Sequence, residues 1–229
     1  MGRNIYIMKL ENKLSQFNRD LANILAELAY HISPEIVKYI SNRNKSDFDY
    51  FKKLFNGKIE IANYLFEGSD CVFPGIRRYV GCEGKRQKYN VEYKAIIDDN
   101  IFPRHLWCFL INGKCYTGSN WKDTKLDEFE LAHILTNNVN SYGEFTSAAN
   151  VVLLPKGTIR LTDNSTVLKG LFYKRYIELY GKNTLENNIP DWYSELKWNE
   201  PFLPNNWKDN INKLLEYRNE RISTILSKK

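Results

Sequence analysis

A chain of 229 residues with 33 Lys and Arg against 27 Asp and Glu carries a formal charge of +6 and has a pI near 9.0. With 43% hydrophobic and 26% charged residues it is not disordered, collagen-like or coiled-coil throughout, and no apolar run approaches the ~18 residues of a membrane span. The opening MGRNIYIMKLENKL has no secretory apolar region. A cytoplasmic protein without a membrane partner is therefore expected. The excess of base is compatible with a polyanion but does not demand one.

In chain order, DLANILAELAYHI places Leu21, Ile24, Leu25, Leu28 and Ala29 at helical spacing, with Asp20 as its expected cap. Ser33-Pro34 starts a second helix, PEIVKYISNRN, and Ser46-Asp47 a third, DFDYFKKLF. Pro74-Gly75 then breaks the stretch from Asp70 to Val80, and Gly81 to Gln87 reads as a turn. YNVEYKAII alternates like a strand, and Asn112-Gly113, between HLWCFLI and KCYTG, is a hairpin signal. Phe129 to Leu135 and Ala148 to Pro155 are two further strand candidates, joined by a polar loop. Ser165 to Tyr180 returns to helical spacing and ends at Gly181, and a Pro- and Trp-rich connector leads to a closing helix from about Asn206. Helices, then strands, then helices give an α+β protein. The expected divisions are a helical region 1–66, a central β-rich core 67–182, and a connector with its helix, 183–229.

Only three histidines are present, His31, His105 and His133, which excludes zinc sites of the H-E-x-x-H type. No phosphate-binding glycine loop or nucleophile elbow occurs. The four cysteines, Cys71, Cys82, Cys108 and Cys115, contain no C-x-x-C pair. A structural zinc using all four thiolates is one reading; reduced, partly buried thiols are the simpler one.

One block remains, E-L-A-H-I from Glu130, a Gly-containing loop, then N-V-V-L-L-P-K-G-T-I-R-L-T-D ending at Asp163. It resembles the HNH, or ββα-metal, nucleases, over about 35 residues extended by the helix carrying Lys169. The resemblance implies a metal-dependent DNA endonuclease of the kind found in restriction or anti-phage systems, and makes 67–182 a nuclease-like core. It implies His133 as general base, Asn150 as the residue orienting it, and Lys169 as a stabiliser of phosphate charge. Asp163 would be the main ligand of Mg²⁺ or Mn²⁺, with Asn164 and Glu130 as further oxygen donors. An imidazole at a strand end can take a proton from water, an effect of roughly 10²–10⁴-fold, and a hard cation suits oxygen donors. The chain departs from the family at its second histidine, where Thr158 and Ile159 stand, and at its flanking cysteine pairs.

A second constellation points to the same reaction. Glu92 and Lys94 share one face of a strand, with Asp70 upstream, an arrangement that resembles the PD-(D/E)xK nucleases. Basic residues flank both blocks. Arg77, Arg78, Lys85 and Arg86 lie near the second, and Lys156, Arg160, Lys174 and Arg175 near the first. On a nuclease they would contact the phosphates of double-stranded DNA rather than read bases. A palindromic target would call for a homodimer. A third reading is a nucleic-acid-binding or interaction protein without catalysis.

Overall fold

The computed structural model describes residues 2–47, 49–50, 70–72, 75–76, 96–97, 101–135, 147–181 and 189–226. Helix α1 spans Gly2–Leu28 and α2 Pro34–Ser46. The Ser33 hydroxyl caps α2 by accepting from the Glu35 N–H, and Pro34 sits at its first turn, where a missing N–H costs nothing. Asp20 does not cap a helix: α1 begins eighteen residues earlier, at Gly2, and runs through it. Beyond Tyr50 the expected third helix lies outside the described residues, as do the Gly81–Gln87 turn and most of the Tyr89–Ile97 strand. From that stretch Gly75–Ile76 (β1) and Ile96–Ile97 (β2) pair in parallel.

The expected hairpin at Asn112-Gly113 is instead the end of a helix. α3 spans Ile101–Asn112, and Gly113 follows with φ +68°, the left-handed geometry of a helix terminator. Phe102, Leu106, Trp107, Phe109 and Leu110 are all buried, so apart from the exposed Arg104 the segment is apolar around the helix and shows no narrow 3.6-residue stripe. The Asn112 carboxamide accepts from the Lys114 N–H, turning the chain outward. Thr117 then caps the short α4, Gly118–Asp123.

β3 (Phe129–His133) and β4 (Val151–Pro155) form an antiparallel hairpin, with His133 opposite Val151 and Phe129 opposite Pro155. α5 (Ile159–Asn164) and α6 (Thr166–Tyr180) follow directly, then α7 (Trp207–Leu226). The protein is α+β, although among the described residues the middle carries only short strands and is not β-rich.

β4 explains how the parts meet. Val151 and Leu153 point into one core with Ile36, Phe102, Leu106 and Ile211, while Val152 and Leu154 point into another with Leu25, Leu168 and Leu171. Side chains alternate along a strand, so a strand buried on both faces joins two cores. Each fully buried Leu, Ile or Phe contributes about 1.5–3 kcal/mol. Packing crosses the expected divisions: α1 lies on α6 and β4, and α7 lies on α3 and α2. Arg218 of α7 is wholly buried and donates to Asn44 Oδ1 of α2 at 2.6 Å. No helix among the described residues is long and apolar enough to cross a membrane.

Candidate active site

The hairpin neck is built around Asn150. Its backbone carbonyl accepts from the Ile134 N–H at 3.1 Å, and its side-chain Oδ1 accepts from the Leu135 N–H at 2.7 Å. One fully buried residue thus holds the two residues that follow His133, and with them the end of β3. The Asn150 side-chain oxygen thus fixes the backbone two residues beyond the His133 imidazole.

Asn150 is itself supported by Asp70. The Asp70 carboxylate accepts from Ser147 Oγ at 2.5 Å and from the Ala149 N–H at 2.9 Å, and its backbone oxygen accepts from the Ala148 N–H. These bonds shape the tight turn of Ala148–Asn150 that delivers Asn150 to the neck. Asp70 is therefore a buried prop of the hairpin, and its partners Glu92 and Lys94 in the second constellation lie outside the described residues. Nearby, burial first and the Asp70 charge second push the Tyr180 phenol well above its ordinary range. Its hydroxyl donates to the Ile32 carbonyl at 2.7 Å.

Under the end of the hairpin, His133, Asp163 and Lys169 line one small pocket floored by Ala132, Val152, Leu154 and Phe172. For a water-sized sphere the space is about 20 Å³, enough for a single water. Three elements bring these side chains together. His133 ends β3, Asp163 lies in α5, and Lys169 is one residue past the first turn of α6, whose N-terminus Ser165 caps by accepting from the Leu168 N–H. Asp163 and Lys169 are exposed and His133 is half-buried.

Other residues named from the sequence lie elsewhere. Glu130 Oε1 accepts from the Gly157 N–H at 2.8 Å and the Ile159 N–H at 3.4 Å, so it closes the turn between β4 and α5. It sits three residues from His133, about 10 Å along the strand. Asn164 donates to the Arg160 carbonyl of its own helix. Lys156 and Arg160 are exposed and Lys174 half-buried. Arg175 is half-buried, with its guanidinium 5.6 Å from the Trp198 ring and 3.9 Å from Glu178. Arg77, Arg78, Lys85 and Arg86 lie outside the described residues.

The other histidines serve the core. His105 Nδ1 accepts from the Tyr116 N–H at 2.8 Å, and His31 packs against Phe172 and Trp198. Cys71 is buried, Cys108 and Cys115 are free thiols, and burial pushes the Cys108 thiol up. No group of three or more His, Cys, Asp or Glu side chains among the described residues is placed to hold a metal. The three described cysteines thus do not converge as a four-thiolate zinc site needs, and Cys82 lies outside the described residues. Magnesium is often held by one or two carboxylates plus substrate phosphates. Asp163 beside His133 suits that open kind of site and not a closed cage.

The sequence offered no sign of the Asp70 support, because Asp70 and Ser147 are 77 residues apart. Nor did it single out Phe172, read there only as one apolar position of a helix. Comparison with family models, with curated proteins and with solved structures finds no match. The site is thus defined by its own geometry: an antiparallel hairpin and two helices enclosing a histidine, a carboxylate and a lysine.

Proposed function

We propose that the chain hydrolyses phosphodiester bonds in DNA, with His133 as general base. The observation that supports this is the meeting of His133, Asp163 and Lys169 around a space for one water. In the proposed step the His133 imidazole takes a proton from that water, and the resulting hydroxide attacks phosphorus. Lys169 stabilises the charge that gathers on the phosphoryl oxygens, and the leaving oxygen takes its proton from solvent. Mg²⁺ or Mn²⁺, when bound, would neutralise phosphate charge, and Asp163 is the carboxylate that would meet it. Lys156, in the turn after β4, and Arg160, in α5, are exposed and on this reading would contact neighbouring phosphates. An origin in a restriction or anti-phage system is part of the same proposal and rests on the resemblance alone.

The sparse set of metal donors among the described residues favours a second reading, a module that binds DNA without cutting it. One experiment decides between them: plasmid cleavage with and without Mg²⁺ or Mn²⁺ by the unaltered chain and by His133→Ala. The nuclease reading expects nicking or linearisation that falls roughly 10²–10⁴-fold in the variant, with thermal unfolding unchanged. Cleavage retained by His133→Ala overturns the assignment of the base. Salt-sensitive retention of DNA with no cleavage by either form replaces the nuclease with the binding module.

A further inference from the structure

α1 has two apolar faces; the described chain covers one and reaches only Leu21 of the other. Ala22, Leu25 and Ala26 are buried against α6 and β4, anchoring the C-terminal third of the helix. The other face advances by three and four residues in turn, from Ile7 through Leu10, Leu14, Phe17 and Leu21 to Ile24. That is the a/d spacing of a coiled-coil seam. Every residue from Ile7 to Phe17 is exposed, with Leu10 at 58%, Leu14 at 59% and Phe17 at 55%. A helix standing alone in water is marginal, because most helical stability comes from packing an apolar face. A contiguous apolar stripe of this length marks an interaction surface.

We propose that this face pairs with the same face of a second copy of the chain, as an antiparallel two-helix coiled coil. Charge selects both the occupant and the direction. When Leu14 packs opposite Phe17 of the second copy, Leu10 meets Leu21 and Ile7 meets Ile24. In that register Lys13 of each copy flanks the seam beside Asp20 of the other, giving two opposite-charge pairs related by the two-fold axis. In the parallel register Lys13 meets Asn18 and Asp20 meets Leu25, which is already buried in its own copy, so no charge pair forms. The antiparallel register also sets the two Leu25 anchors about 28 Å apart along the axis at 1.5 Å per residue, leaving room for both protein bodies. Along the helix, Arg3, Lys9, Lys13 and Arg19 stand against Glu11, Asp20 and Glu27, a net charge of only +1. This is unlike the strongly basic face of a helix that lies on a membrane.

Analytical ultracentrifugation of the full chain across a micromolar range tests the proposal. The expected result is a concentration-dependent dimer. Leu14→Glu with Phe17→Glu weakens it roughly hundredfold or more, and leaves the near-ultraviolet circular dichroism of the body intact, since neither residue is buried. Lys13→Glu alone weakens it about tenfold, and adding Asp20→Lys in the same chain restores it. A monomer at every concentration overturns the proposal, as does a dimer indifferent to Leu14→Glu with Phe17→Glu. Failure of the charge swap to restore affinity overturns the antiparallel register. A monomer that floats with phosphatidylserine–phosphatidylcholine vesicles overturns the second copy in favour of a lipid surface.

Discussion

Two histidines lie on either side of Phe172, and their surroundings give them different chemistry. His31 is 1% exposed, its ring 6.0 Å from Phe172 and 5.7 Å from Trp198, and neither of its nitrogens has a hydrogen-bond partner among the described residues. Burial first, and the Arg175 guanidinium second, hold its pKa down to about 3. A charged imidazole there would lose its hydration without a compensating partner. His133, by contrast, ends a strand beside a water-sized space that Phe172 floors from below. The side chain is the same in both places, and access to water separates a packing element from a candidate base.

That comparison is sharpened most by acid. The folded chain keeps His31 neutral down to about pH 3, whereas an unfolded histidine takes up a proton near its ordinary value of 6.5. Below pH 6.5 the unfolded state therefore binds more protons, and stability falls as the pH drops from 6.5 towards 3. The slope approaches ~1.4 kcal/mol per pH unit from this group alone, or about 5 kcal/mol over the whole window. Urea unfolding of the unaltered chain and of His31→Phe at a series of pH values isolates the contribution, because the carboxylates are common to both. The stability difference is expected to be constant above pH 6.5 and to shift steadily towards the variant below it. A difference that stays flat down to pH 4 would sink the assignment.

The next largest effect belongs to the support of the His133 strand. Asn150→Ala leaves the Leu135 N–H without the oxygen it donates to and opens a gap at a fully buried site. The expected cost is about 1–3 kcal/mol, read from the urea midpoint. If the nuclease reading holds, turnover falls as well while the strength of DNA retention is kept, since Asn150 positions the strand end and does not reach the pocket surface. An unchanged urea midpoint would show that the neck does not depend on Asn150.

Much of this site was legible as pattern, and little of it as support. The short apolar segments Phe129–His133 and Val151–Pro155 and the 3.6-residue spacing after Ser165 are local signals, and the hairpin and α6 follow them. Local signals failed where burial was nearly complete: α3 is apolar all round apart from Arg104, so its terminating Asn-Gly reads like a hairpin turn. They also understated α1, since Ile7 to Phe17 are exposed and their stripe faces outward. The Asp70–Ser147 contact and the shared role of Phe172 arise from tertiary packing, which no short window of sequence contains.

The smallest predicted effect separates pattern from place most cleanly. Glu130 belongs to the motif that the resemblance supplies, yet its oxygen is taken by the Gly157 and Ile159 N–H groups at the far end of β3 from His133. Gly157 has φ +83°, and the turn it makes presents these amides together. Glu130→Gln keeps an acceptor oxygen and loses only the charge facing the start of α5, which is expected to cost about 0.5 kcal/mol or less. Glu130→Ala removes the acceptor and costs about 1 kcal/mol. If the nuclease reading holds, neither variant should alter metal-dependent plasmid cleavage beyond that change in stability. A loss of cleavage in Glu130→Gln, with its urea midpoint unmoved, would mean that Glu130 leaves its turn to join a metal when DNA is bound. The catalytic centre would then extend along β3 instead of ending at the pocket beneath His133.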